Sequence, residues 1–519
     1  MKNSRLSQLY RANRLRAAFL IPAAVLTVQG CTDLSESPTS AITPSNFYKN
    51  GDEVLGGVAS VYANLRSTMW GYYNISQVST DENIVPTRGT DWFDNGRWLQ
   101  IYRQTWEPNN GSGLEDISGM WNDLFAGVAR SNVVLTALET TDVPNKPVIV
   151  AEVRALRGFY YYLLMDMFGG VPLVTDTKVE AREQATRAQI FAFVEKELTE
   201  SRGALPDKWP ANGFGRITKG GVDAVLASMY LNAQVFTGTV TSAGLQRGPA
   251  KWNEAVTAAD RVLNSGQYTL NPNWRANFSG NNKISPENVF VVRHAAQDGL
   301  GLTFVMRGLH YNSFSDSPWN GFATIADTYN AFDNADARKS VFLSGPQVDV
   351  LTGAPIRDRA GNPLVFTPEI RDPTQATEGE GARIYKYTVD PNRGGGGMNG
   401  NDFVYFRLAE MHMIKAEALN ELGRTAEAVA IVNLIRARVF TPAKPLATTI
   451  NQTQLREAIF RERLFEFVAE AKRRQDMVRA GTYTSARLFK PTTGAFRVLM
   501  PIPQNQIETN PLLKQNAGY

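Results

Sequence analysis

Apolar residues along this chain recur three and four positions apart far more often than they alternate. Val153, Leu156, Tyr160, Leu163 and Met167 form the clearest stripe, one face of an α-helix that Gly169, Gly170 and Pro172 then end. The same spacing predicts helices over residues 52–66, 116–139, 189–201, 221–236, 252–265, 406–422, 425–439 and 454–479. Strand signals are few and short, such as residues 288–293. Between 300 and 402 the period gives way to Gly, Pro, Asn and Asp, with glycines from 394 to 397. That is a loop-dominated region set into a helical scaffold, and loops are where binding groups concentrate.

Two predicted helix pairs resemble each other. Tyr230-Leu231-Asn232 ends one helix and Glu254-Ala255-Val256 lies in the next; Ala418-Leu419-Asn420 ends another and Glu427-Ala428-Val429 follows. With Leu422-Gly423 at its turn, the second copy looks like a tetratricopeptide repeat, in which small alanines let paired helices approach. The predicted fold class is mostly α: a tetratricopeptide-like scaffold of helical hairpins with a loop-rich ligand-binding region.

Composition supports a globular body, with 43% hydrophobic and 20% charged residues among 519. The first thirty residues stand apart. Lys2, Arg5, Arg11, Arg14 and Arg16 precede an apolar run from Ala17 to Val28, too short to span a bilayer and of the length of an exported leader. Val28-Gln29-Gly30-Cys31 resembles a lipobox, which makes Cys31, the only cysteine, the expected lipid-attachment site. With no second cysteine there is no intramolecular disulfide. Residues 1–30 are expected to be a lipoprotein signal peptide and 31–46, rich in Ser, Thr and Pro, a flexible tether. The formal charge of +4 includes the five basic leader residues, so the remainder is nearly neutral and nothing suggests nucleic acid as a partner.

The three histidines, His294, His310 and His412, have no zinc-clamping spacing, and no nucleophile elbow or phosphate-cradling loop is present. No cofactor, metal or catalytic residue is expected, although Asp333 and Asp336 are carboxylates of a kind that holds calcium. The charged run 456–479 carries an apolar stripe of Phe460, Leu464, Phe467 and Ala471, with Glu457–Arg461 and Glu470–Arg474 four apart, so it reads as a structural helix with ion pairs on its flanks.

Aromatic placement points further. Trp70, Trp92, Trp98 and Trp106 fall close together with Tyr72, Tyr73 and Tyr102, interleaved with Asp81, Glu82, Asn83, Arg88, Asp91 and Asn95. A second patch holds Tyr311, Asn312, Asp316, Trp319 and Asn320. A pyranose stacks its C–H face on a flat ring while carboxylates, amides and guanidinium groups satisfy its hydroxyls. Trp106 and Trp121 are assigned to the core. The candidate glycan-binding residues are Asp81, Arg88, Trp92, Trp98, Tyr311, Trp319 and Asn320.

At the C-terminus, Arg463-Leu464-Phe465-Glu466-Phe467 with Glu470, Arg473, Asp476, Arg479 and Gly481, then Met500-Pro501-Ile502-Pro503-Gln504, then Asn510-Pro511-Leu512-Leu513, resembles the SusD/RagB family of nutrient-uptake outer-membrane lipoproteins. Arg407-Leu408-Ala409-Glu410 and Arg157-Gly158-Phe159-Tyr160 are similar to further family signatures. The sequence departs from the family at Ala471 and Arg474. The resemblance implies a domain over 47–519, with an N-terminal part of about 47–240 and a C-terminal part of about 251–519. It also implies a non-enzymatic role: a surface-exposed, lipid-anchored protein of the outer membrane that binds oligosaccharide, or in some members peptide. Such a protein hands its ligand to a SusC-like TonB-dependent transporter. By the same resemblance Trp98 and Trp319 lie near stacking aromatics, and Asp81 and Arg88 near polar sugar contacts. A surface hydrolase and a periplasmic helical-repeat scaffold with no small ligand are the remaining alternatives.

Overall fold

The helical spacing is realised as twelve α-helices of seven residues or more among the residues that the computed structural model describes, Tyr48 and 50–519. They are α1 (Gly51–Asn64), α2 (Gly71–Val78), α3 (Arg97–Arg103), α4 (Leu114–Thr140), α5 (Lys146–Phe168), α6 (Arg187–Arg202), α7 (Lys219–Leu231), α8 (Trp252–Leu263), α9 (Leu408–Glu421), α10 (Thr425–Ala437), α11 (Gln452–Phe467) and α12 (Arg473–Ala480). The expected leader, Cys31 and the tether lie outside the described residues. None of the described helices is long and apolar enough to cross a membrane.

Helix α5 is the centre of the first half. From Ala155 to Phe168 every residue is buried, so it is apolar nearly all round and must be covered on several sides. It packs between α4 and α6 and also touches α1 and α7. Glycines make the close approaches: a Cβ on Gly127 of α4 would lie 2.3 Å from the Tyr160 ring. Gly169, at φ 75°, ends the helix where the sequence predicts.

The second half stacks α7 on α8, α8 on α9, and α9 on α10 and α11. The α9–α10 hairpin turns at Gly423 with φ 79°, and Ala416 and Ala428 are fully buried between helices. The predicted helix over 406–422 starts two residues late. Phe403–Arg407 is instead a fully buried strand, antiparallel to Asn288–Val292. A short aromatic and β-branched run carries no period that separates buried strand from buried helix.

The predicted long helix over 454–479 is two helices; Arg456, Glu457 and Arg461 are exposed on its flank, but the charges from Glu462 onward are buried. Cations take the last carbonyls of α11: Lys386 Nζ donates to Glu466 O (2.8 Å) and Val468 O (3.0 Å), and Arg407 Nη2 donates to Glu466 O (2.9 Å). Ala469 and Ala471 then adopt φ of 64° and 59°, breaking the axis. Ala471, a departure from the family pattern, therefore occupies a left-handed position where glycine is unstrained. Glu470 faces Arg407 (2.8 and 2.9 Å) and Lys386 (2.5 Å), not Arg474, which pairs with Asp166 of α5 at 3.0 Å. Glu462, Glu466 and Glu470 are buried in a network with Arg338, Arg407, Arg436 and Arg438 that ties α11 to the loop region.

Glu82 is a different kind of buried carboxyl. It is fully buried, accepts one bond from Ala469 N (3.2 Å), and its other oxygen has no partner. Burial pushes its pKa up to about 8, with Arg473 opposing. The folded protein then binds a proton that the unfolded chain, at about 4.3, releases. Stability is expected to fall as pH rises from about 4.5 to 8, by several kcal/mol at most. Glu82→Gln should flatten that fall in urea titrations at pH 6 and 9; an unchanged slope would refute the assignment.

Candidate functional site

Residues 84–98 and 304–323 are far apart in sequence, yet the chain brings them edge to edge. Ile84 and Ala323 exchange backbone hydrogen bonds of 2.8 and 2.9 Å, and Trp92 Nε1 donates to Trp319 O at 2.5 Å. Trp92 of the first aromatic patch is thus joined to the backbone of Trp319 in the second, while Tyr72, Tyr73, Tyr102 and Trp106 of the first are buried. Trp92, Trp98 and Phe322 meet edge to face, with centroids 5.3 to 5.7 Å apart. Gly321 makes room, since a Cβ there would sit 2.3 Å from the Trp92 ring.

The backbone that presents these rings is strained. Trp92, Asp94, Asn95, Ser317 and Asn320 all have positive φ, five of the eleven non-glycine cases among the described residues. Each costs on the order of 1–3 kcal/mol and persists only where surrounding structure over-determines it, a pattern that clusters at ligand sites. At Asn320 the determinants are buried arginines. Arg88 donates to Asn320 O (2.9 Å), Thr377 O (2.5 Å) and Glu380 O (2.8 Å), and Arg383 donates to Asn320 Oδ1 (3.0 and 2.8 Å). Burial lowers Arg88 to about 10, still charged at neutral pH.

Four of the candidate binding residues are corrected by this arrangement. Arg88 and Asn320, 2% and 0% exposed, spend their polar atoms on the loops they pin. Asp81 lies apart from the aromatic face, in a two-pronged pair with Arg473 at 2.8 Å. Trp98 is 5% exposed and belongs to the core beneath Trp92, with its Nε1 on Asp94 Oδ2 at 2.7 Å. Trp98→Ala is expected to cost about 3 kcal/mol or more in urea unfolding, a core truncation. An unchanged midpoint would return Trp98 to the surface. Trp106 and Trp121 are buried as predicted.

A polar cluster borders the rings. Tyr311 Oη donates to Asp91 Oδ2 (2.5 Å), and Arg359 spans Asp91 (3.0 Å) and Glu378 while its guanidinium lies 4.1 Å over the Tyr311 ring. Burial and the Asp91 carboxylate raise the Tyr311 pKa, so the phenol keeps its proton. Burial lowers His310, which is neutral. Its Nδ1 receives the Asn312 amide (3.1 Å), so the proton sits on Nε2 and is donated to Glu378 Oε2 (2.9 Å). Burial opposes the Glu378 charge, but Arg359 and His310 together hold its pKa below the usual carboxylate range. Sequence reasoning missed Arg359, Glu378 and His310, because an aperiodic loop gives no sign of which face it folds onto.

Facing solvent are the partly buried rings of Trp92, Tyr311 and Trp319, the 54% exposed Phe93, and the polar groups of Asp91, Asn312 and Arg359. Flat apolar faces beside fixed donors and acceptors match the two needs of a sugar ring. Among the described residues no group of three His, Cys, Asp or Glu is placed to hold a metal ion. Asp333 instead pairs with Lys444 (2.6 Å) and Asp336 with Arg338 (2.6 Å). A separate open cleft of about 800 Å³, lined by Lys283, Arg293, His294 and Asn392 among others, has no Phe, Tyr or Trp in its lining.

Fold and face together define a helical-hairpin scaffold that displays an aromatic and polar surface on long loops. The chain belongs to the SusD family, whose model matches residues 254–519. Residues 52–231 match a second model, described as starch-binding associating with outer membrane. Among curated relatives, SusD-like protein P25 of Formosa agariphila is 22% identical, over 94% of this chain and 96% of its own. Starch-binding protein SusD of Bacteroides thetaiotaomicron is 23% identical, over 86% and 85%. Of solved structures, a laminarin binding SusD-like protein superposes with a TM-score of 0.71 at 23% identity, covering 91% of this chain and all of that one. Surface glycan-binding protein A from Bacteroides thetaiotaomicron, in complex with laminarihexaose, also gives 0.71, at 21% identity over 90% and 99%. At such identity these structures establish the shared fold.

Proposed function

We propose that this protein captures an oligosaccharide on the face built by Trp92, Trp319 and Tyr311 and hands it to a TonB-dependent transporter of the outer membrane, without chemical change to the ligand. The observation that carries the reading is the convergence of the two aromatic segments, held by the Trp92–Trp319 hydrogen bond over a rigid, strained backbone. Pre-organised rings bind without the entropy cost of ordering them. The starch and laminarin named for relatives, and the outer-membrane association named for the matching model, support the ligand class and the place. Lipid on Cys31 would hold the protein beside its transporter at high effective concentration.

A glycan array probed with the full-length protein in detergent tests the reading, with an oligopeptide array alongside. Binding to one related set of glycans is expected, with no product released. Peptide binding without glycan binding would overturn the ligand class, and released product would overturn the non-enzymatic reading.

A further inference from the structure

Trp70 sits immediately before α2, 49% exposed, although it is the largest type of apolar side chain. It is not a loosely hung surface residue. Its inner face lies 4.0 Å from the guanidinium of Arg307, which is itself 3% exposed. Arg307 Nη1 donates to Met69 O (2.9 Å) and Asn74 Oδ1 (3.0 Å). Asn74 in turn donates to Asp116 Oδ1 (2.9 Å), and Asp116 takes Arg97 at 2.6 Å. The following residue fixes the helix start, since a Cβ on Gly71 would be 2.6 Å from Asp116 O and 2.9 Å from Met120.

This is a costly way to hold a ring that the core does not enclose. Arg307 is buried without a carboxylate in contact, and burial lowers its pKa to about 10. The same guanidinium faces the Phe322 ring at 5.9 Å, and Phe322 is the ring on which Trp92 rests at 5.7 Å. Those links run through buried Arg307 and Phe322 and keep the Trp70 and Trp92 indoles within about 16 Å of each other, a separation on the scale of a few pyranose units.

We propose that Trp70 is a second stacking platform, held rigid by Arg307, that makes the protein select oligosaccharides long enough to reach both it and the Trp92–Trp319 face. The inference rests on the glycan-binding reading above. Short ligands satisfy the Trp92 face alone, and longer ones gain the contact at Trp70. A well-placed tryptophan at such a contact contributes more than 1 kcal/mol, so its removal costs about tenfold in affinity.

The test titrates the full-length protein in detergent with two size ladders, laminari-oligosaccharides and malto-oligosaccharides, from the disaccharide upward. Trp70→Ala is expected to weaken the longest members about tenfold and leave the shortest unchanged, with Trp70→Phe restoring most of the loss. An unaltered thermal transition is expected too, because half of the ring is already in solvent. Wild-type binding that Trp70→Ala leaves unchanged at every length, or weakens equally at every length, would overturn the platform alone. Absence of wild-type binding on both ladders would overturn the glycan reading for these probes, and the platform with it.

Discussion

Replacing Arg407 with methionine is expected to remove about 3–5 kcal/mol of folding stability, the scale of breaking a buried ion pair from one side. Arg407 is 1% exposed and donates to four carboxylate oxygens: Glu287 and Glu466 at 2.7 Å, and Glu470 at 2.8 and 2.9 Å. Its fifth bond, to Glu466 O, helps end α11. The methionine variant would take one cation from each of three buried carboxylates, leaving Arg438 on Glu287, Arg338 and Arg438 on Glu466, and Lys386 on Glu470. Burial opposes the charges of Glu466 and Glu470, yet the arginines and lysine hold both pKa values below the usual range. A depressed folded pKa contributes stability above the unfolded value, about 4.3, that is lost as pH falls through the folded one. Wild-type protein should therefore weaken steeply in acid, and Arg407→Met should weaken less steeply from a lower start. Urea midpoints from pH 3 to 7 measure both. A variant as stable as wild type at pH 7 would show that the network does not hold the fold.

The combined change Trp92→Ala and Trp319→Ala is expected to lower affinity for any bound oligosaccharide by about a hundredfold or more, since each ring is a rigid anchor worth over 1 kcal/mol. Both rings are partly exposed, unlike Trp98, so unfolding should remain cooperative with a lowered midpoint. Isothermal titration measures the first effect and urea unfolding the second. Affinity retained in a folded double variant would move the site elsewhere.

The helices were legible because burial imposes a period. Helix α5 and the α9–α10 turn fall where apolar spacing and glycines indicate. The break after Phe467 was not legible, because its cause, Lys386 and Arg407 reaching the helix end, lies some sixty to eighty residues away. The candidate face shows the same limit. Residue type picked out Trp92, Tyr311 and Trp319, yet it could not tell Arg88, which holds a loop from within, from Arg359, which stands at the surface. Nor could it place Asp81 on Arg473, a partner nearly four hundred residues on. Periodicity reports what a segment buries; only the folded chain decides where a polar group is aimed.

The most direct test of the central claim is the structure of the full-length protein with its tightest-binding oligosaccharide. Sugar rings stacked on Trp92 and Trp319, with hydroxyls on Asp91 and Arg359, are the predicted result. A ligand seated instead in the cleft of Lys283, Arg293 and Asn392, with the aromatic face empty, would contradict it.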